Sequence, residues 1–156
     1  MPDLNPDQFS YRQPHQPFEA SRFHEADKAY PDIYEHPEYY TSDGTRHGDA
    51  HDSEAMHSIR RAQGNPDAKI RMFRAVPKHV VQINPGDWVS TSRTYAKDHA
   101  YGEKDWHVLE GVAKANDLIH TGDSIHEQGY VGEHPKFKLN RKGGKAADEY
   151  WKDRGQ

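Results

Sequence analysis

Three short pieces of the chain carry a charged or hydroxyl side chain where a buried strand ordinarily carries an apolar one. They are IRMFRAVP (Ile70 to Pro77) with Arg74, DWVSTSRTYA (Asp87 to Ala96) with the run Ser90-Thr91-Ser92, and GDSIHEQGYV (Gly122 to Val131) with Glu127. A cation, a hydroxyl cluster and a carboxylate on three strands of one small chain suggest a shared cleft. Suppose the cleft held a substrate with a base on a ribose carbon, and the base departed neutral. Positive charge then grows on the ribose, and a carboxylate accepting a hydrogen bond from a ring hydroxyl stabilises it, as in glycosidases. A guanidinium matches the planar geometry of phosphate oxygens. Ser and Thr hydroxyls orient the sugar and the carboxylate.

Taken singly, each group has a bland reading. Arg74 alone is a strand arginine whose stem packs and whose head reaches solvent. A Ser-Thr-Ser run is common in edge strands, and Glu127 alone is a surface carboxylate. Their order, on three strands that each border a turn, favours the shared cleft.

The elements that must position these groups follow from periodicity. Residues 1–18, with Pro2, Pro6, Pro14 and Pro17, read as an extended arm. Glu19 to Tyr30 reads as a helix with Phe23, Ala26 and Tyr30 on one side, stopped by Pro31. Pro31 to Gly48 is an aromatic, turn-rich stretch whose tyrosines pack on the core. A helix capped by Asp52 or Ser53 follows, with an apolar stripe of Ala55, Met56, Ile59 and Ala62, ending at Gly64 before Asn65-Pro66. Strands are expected over Lys69–Val76, Val80–Ile83, Trp88–Ser92, Trp106–Ala113, Leu118–His120 and Ile125–Val131. A short helix is expected over Thr94–Tyr101, with a turn at Asn84-Pro85-Gly86. Gly129 inside the last strand marks a bulge or a close approach. Helices early and strands late give an α+β fold with a mostly antiparallel sheet. The expected organisation is an N-terminal arm and wrapping segment over 1–48, a core over 49–138, and a basic C-terminal tail over 139–156 with a possible short helix.

At 156 residues one domain is expected. Hydrophobic content is 33% and mean hydropathy is −1.18, so the core must be small. Aromatics at 11% and clear alternating runs argue against disorder. A net charge of −4 gives no global attraction to nucleic acid or anionic membrane. The chain lacks cysteine, which removes thiol and disulfide chemistry. No apolar leader and no apolar run near 18 residues is present, so neither a signal peptide nor a membrane partner is expected. The expected location is the cytoplasm of the producing or target cell.

The stretch from about Asp52 to Val131 resembles mono-ADP-ribosyltransferase domains of the Arg / Ser-Thr-Ser / Glu type, found in bacterial and phage polyvalent or toxin-like proteins. The resembling text is RRAQGNPDAKIRMFRAVP, then INPGDWVSTSRTYA, then VAKANDLIHTGDSIHEQGY. The resemblance implies a split β-sandwich around an NAD cleft, here with N-terminal helices. It implies a catalytic set of Glu127, Arg74 and Ser90, with NAD as substrate and a macromolecular acceptor, expected to be a protein. Arg74 would contact phosphate or ribose, and Ala75 would offer backbone groups to the nicotinamide amide. Ser90 would hold NAD and Glu127, with Thr91 and Ser92 completing the strand. Tyr95 or Tyr130 would stack on nicotinamide.

The pattern departs from the family at one position. Many toxin transferases carry Glu or Gln two residues before the catalytic Glu, where it selects the acceptor; here Ile125 stands there. His126 is a candidate proton acceptor, although in a strand Ile125 and Glu127 would share the opposite face. An NAD glycohydrolase, with water as acceptor, and a non-catalytic NAD-binding or interaction module are the alternatives. His47 and His51 are four apart but lack HExxH, so scattered surface histidine is the better account and no metal is expected. The tail from Lys136 to Lys145 is better read as a solvated terminus than as a nucleic-acid site. Walker, GxGxxG and GxSxG loops are absent.

Overall fold

In a computed structural model the chain is described at residues 17–46 and 48–132. The expected arm (apart from Pro17 and Phe18), the basic tail in which a short helix is expected, and His47 lie outside the described residues. The described part is α+β, with two antiparallel sheets. Its strands are β1 (Ser21–Arg22), β2 (Lys69–Pro77), β3 (Trp88–Val89), β4 (Trp106–Lys114), β5 (Leu118–His120) and β6 (Gln128–Tyr130), and its α-helices are α1 (Ala50–Arg61) and α2 (Arg93–Ala100). One sheet runs β1-β5-β6-β3 and the other pairs β2 with β4. Among the described residues no helix is long and apolar enough to cross a membrane.

A backbone bridge links the two sheets. Phe73 N–H donates to Ser90 C=O at 2.7 Å and Ser90 N–H donates back at 2.8 Å. Beyond that bridge β3 leaves β2 and pairs with β6, Trp88 opposite Gly129 and Val89 opposite Gln128. The backbone thus opens a gap beside Arg74 and Ala75. On its other edge β2 holds β4 along its whole length, from Lys69 opposite Lys114 to Pro77 opposite Trp106.

Burial follows the expected patterns where the periodicity is strong. Ile70, Met72, Arg74 and Val76 of β2 are buried, and so is the α1 stripe Ala55, Met56, Ile59 and Ala62. Phe23, Tyr30 and Ile33 join the same core, so residues 17–46 share it with the rest. Tyr34 and Tyr40 pack against this core, whereas Tyr39 is exposed and stacks on His36.

Several elements differ from expectation. Glu19 to Tyr30 is a strand, β1, followed by a 3-10 segment over Phe23–Lys28, broken at Glu25. Its apolar stripe is buried as expected, but no side chain caps its start and tight 3-10 turns do not extend. The α1 cap is Asp49, which accepts from Asp52 N–H at 3.0 Å, rather than Asp52 or Ser53. Val80 to Ile83 is buried without being a strand. Asn84-Pro85-Gly86-Asp87 closes a turn, Asp87 N–H donating to Asn84 C=O at 3.0 Å, with Gly86 at φ +90° as a type II turn requires. The last strand covers only Gln128–Tyr130, and residues 125–127 form a turn before it.

Gly129 is a close-approach point. A Cβ there would lie 2.8 Å from Pro17 and 3.0 Å from Ile119. Gly129→Ala is expected to lower stability by about 1–3 kcal/mol, the usual cost of overpacking, read as a lower denaturant midpoint at unchanged slope. An unchanged midpoint would show that the Pro17 contact is not maintained.

Candidate functional site

A cleft of about 200 Å³ opens where β2 and β3 part. Phe73, Arg74 and Ala75 of β2 form one wall, and Trp88, Val89 and Ser90 form another. Tyr95, Ala96 and His99 of α2, with Glu127, close it. Arg74, Ser90, Ala75, Tyr95 and Glu127 are therefore brought together from three distant parts of the chain.

Glu127 sits in the turn ahead of β6, its side chain 37% exposed. Tyr95 Oη donates to Glu127 Oε1 at 2.5 Å. Burial and the bond to Glu127 push the Tyr95 phenol well above its ordinary range, so it remains a donor at neutral pH. His99 Nε2 lies 4.0 Å from the same carboxylate oxygen, and its ring leans on Tyr95 with centroids 4.5 Å apart. Tyr95 and His99 are four apart on α2 and so share a face.

The turn at 125–127 breaks the alternation that a continuous strand would impose. Ile125 enters the core, 3% exposed. His126 Nε2 lies 2.6 Å from Asp52 Oδ1, and Nδ1 lies 3.3 Å from Ser124 Oγ. Both ring nitrogens are thus engaged within the fold, which removes His126 as a proton acceptor for a substrate. Its ring stacks on Tyr95, with centroids 5.1 Å apart and planes at 18°. Asp52 is fully buried, and its Oδ2 accepts from Ser42 N–H at 2.8 Å and Ser42 Oγ at 2.9 Å. Burial raises the Asp52 pKa, but these donors and His126 outweigh it and hold the carboxyl below its ordinary value. A rigid chain thus runs from Ser42 through Asp52 and His126 to Tyr95 and Glu127.

Arg74 lines the cleft but is 5% exposed, its guanidinium set into the wall. Nη1 donates to Trp88 C=O at 2.9 Å, and Nε is 3.6 Å from Asp87 Oδ2. Asp87 is itself anchored by Asn84 N–H, which donates to Oδ2 at 2.8 Å. Arg74 therefore ties β2 to the start of β3 while lining the cleft. Phe73 exchanges backbone hydrogen bonds with Ser90, and an antiparallel ladder alternates its edges. The N–H and C=O of Ala75 therefore face the same gap.

The Ser-Thr-Ser run divides. Ser90 lines the first cleft, and its Oγ accepts from Ser92 N–H at 3.0 Å. Thr91 instead lines a separate cleft on the α1 side. Ser92 caps α2, accepting from Tyr95 N–H at 3.1 Å and donating to Glu54 Oε1 at 2.7 Å. Glu54 also accepts from Thr94 N–H and Oγ1, which locks α1 to the start of α2. Thr91 and Ser92 thus lie outside the cleft that holds Glu127. Tyr130 also lies outside it, buried in the core with its backbone bonded to Gly86 and Asp87. Of the two aromatic candidates, Tyr95 alone lines the cleft.

Asp52, Glu54, Asp87 and His99 were not singled out from sequence as parts of the site. His99 had a usable signal, its spacing from Tyr95. The acids had none, because their partners lie in other elements. Among the described residues no group of three or more His, Asp or Glu is placed to hold a metal ion, and His51 is paired with Asp98 at 2.6 Å. A scan of protein-family models finds no match, and searches of curated proteins and of solved structures find none.

Proposed function

We propose that the protein is an NAD-dependent mono-ADP-ribosyltransferase with the geometry of a split β-sandwich, working in the cleft between β2 and β3. The observation that carries this reading is the convergence of Glu127, Tyr95, Ser90 and the Ala75 backbone on one concavity at the sheet split. Its 200 Å³ is below the roughly 300–1,000 Å³ of pockets that enclose a whole small ligand, and suits the nicotinamide–ribose end of NAD. The Ala75 backbone and the Tyr95 ring receive nicotinamide. Tyr95 fixes Glu127 Oε1 and leaves Oε2 for the ribose 2′-hydroxyl.

The bond from ribose C1′ to nicotinamide breaks with its electron pair going to the ring nitrogen, and nicotinamide leaves neutral. Glu127 stabilises the cationic ribose through the 2′-hydroxyl. The acceptor X–H attacks C1′, forming C1′–X and releasing a proton. His99, at the rim beside Glu127, is positioned to take it. Arg74 is a positioning residue that fixes the Trp88 wall.

Tyr95→Phe is expected to lower nicotinamide release about tenfold with KM for NAD little changed, because it removes one charge-assisted hydrogen bond that orients the carboxylate. A rise in KM with kcat intact would assign Tyr95 to binding instead.

One observation favours water as the acceptor. Ile125, at the family's acceptor-selecting position, is buried and offers no polar atom to a protein side chain. Incubation with labelled NAD and cell lysate decides between the two. Label on a macromolecule means transfer, free ADP-ribose means hydrolysis, and intact NAD that nonetheless raises the melting temperature means a non-catalytic binding module.

A further inference from the structure

On the other side of Phe73 lies a second cleft, about 550 Å³ in volume, between α1, the first half of β2 and the start of α2. Its lining is rich in cations, Arg61, Lys69, Arg71 and Arg93, with His57 and Thr91 among the other lining residues. In a chain of net charge −4 this concentration is local. We infer that this cleft binds a phosphate group carried by a small anionic ligand.

Two of the cations are held in place before any ligand arrives. Arg71 Nε donates to Glu110 Oε2 at 3.1 Å, and Arg93 Nη2 donates to Glu110 Oε1 at 2.6 Å. Glu110 is nearly fully buried beneath them. Both guanidinia also lie over the Phe73 ring, at 5.5 and 5.4 Å from its centroid. A guanidinium has five N–H donors. Arg71 uses Nε and Nη2 on Glu110, and Arg93 uses Nη2, so each retains donors for a ligand. One carboxylate neutralises only one of the two charges.

Arg61 and Lys69, by contrast, are exposed and form no ion pair among the described residues. Glu54, the acid in the lining, is already committed to Ser92 and Thr94. Thr91 supplies a second and independent indication. The residue is 4% exposed, yet its Oγ1 is buried with no hydrogen-bond partner among the described residues. A buried hydroxyl without a partner costs free energy comparable to a lost hydrogen bond, and a small shift of this wall would let an acceptor oxygen in the cleft satisfy it. Fixed guanidinia, exposed cations and an unpartnered hydroxyl in the wall suit the tetrahedral oxygens of phosphate. The concave shape suits a small ligand more than a polymer lying on a surface.

The site is separate from the nicotinamide chemistry, because Glu127 takes no part in it. The full chain is titrated calorimetrically at low salt with inorganic pyrophosphate and, separately, with a short single-stranded oligonucleotide. Saturable pyrophosphate binding is expected, weakened at least about tenfold in the double variant Arg61→Gln/Lys69→Gln and severalfold in Thr91→Val, but unchanged in Glu127→Gln. The two exposed cations can be replaced without disturbing the fold. Failure of wild type to bind pyrophosphate, or equal affinity in wild type and the double variant, overturns the assignment. So does binding of the oligonucleotide alone with a steep salt dependence, which would mark a polyanion surface in place of a small-ligand site.

Discussion

Glu127→Ala is expected to reduce nicotinamide release from NAD by at least about 100-fold, with the fold intact. Removing one preorganised electrostatic group from a transition state that develops charge costs about that much. Here the carboxylate is held on one oxygen by Tyr95, whose own ring is packed by His126 and His99. Little reorganisation is then needed when charge appears on the ribose. The variant should fold, because the Glu127 side chain is 37% exposed and the lost Tyr95 bond costs about 1–3 kcal/mol, below the usual stability of a domain. Glu127→Gln keeps the shape and loses the charge, so it should be nearly as inactive. Turnover in wild type no greater than in either variant would remove the enzymatic reading. A wild type that binds NAD without consuming it would leave the non-catalytic module.

Acid is expected to destabilise the fold through His120, beginning well above the carboxylate range. His120 is fully buried in β5, stacked on Phe23 at 4.7 Å and set edge-on to Tyr30 at 5.4 Å. Its Nε2 lies 3.3 Å from Phe23 C=O, and Nδ1 has no hydrogen-bond partner among the described residues. Tyr30 beside it is pushed up to about 12, chiefly by burial, and stays neutral. Burial lowers the His120 pKa to about 4, from 6.5 in an exposed histidine. Between those values the unfolded chain binds a proton that the folded chain refuses, so stability rises with pH. Stability is full above about pH 6.5, falls by about 1.4 kcal/mol per pH step below it, and has lost roughly 3 kcal/mol near pH 4.

Denaturant midpoints of wild type and His120→Phe, measured from pH 7.5 to 4, isolate this contribution from the exposed histidines. The variant curve should be flatter by that amount. Should the variant fail to fold, the imidazole ring protons of wild-type His120 can be followed by NMR, where they should remain neutral to below pH 5. Parallel curves, or a ring that titrates near 6.5, would show that His120 is not sealed in the core. The Asp52 carboxyl, held low by Ser42 and His126, contributes stability above its unfolded value that is lost only at lower pH. The two effects therefore fall in different windows.

Much of the fold was legible in residue order, because burial patterns are local. The alternation in Lys69–Val76 and Trp106–Ala113 and the three-to-four spacing of Ala55, Met56, Ile59 and Ala62 identify the two long strands and α1, since each period must turn one face to the core. The antiparallel α+β class follows from the same signals, and so does the close approach at Gly129. The candidate set Arg74, Ser90 and Glu127 was visible as polar residues in apolar runs.

Spatial convergence was not visible, because it depends on where strands part. That β3 pairs with β6 while only Ser90, just after it, bridges to β2 decides that Ser90 lines the Glu127 cleft, that Thr91 lines the basic one, and that Ser92 caps a helix. Periodicity also failed at 125–127, where a turn replaces the expected strand and sends Ile125, His126 and Glu127 three different ways. Arg74 finds Asp87, and His126 finds Asp52, across elements whose mutual placement no local period encodes. Short-range order is written in which residues can share a face. The use of a buried charge is set by the partner that packing brings to it, and that partner exists only in the assembled fold.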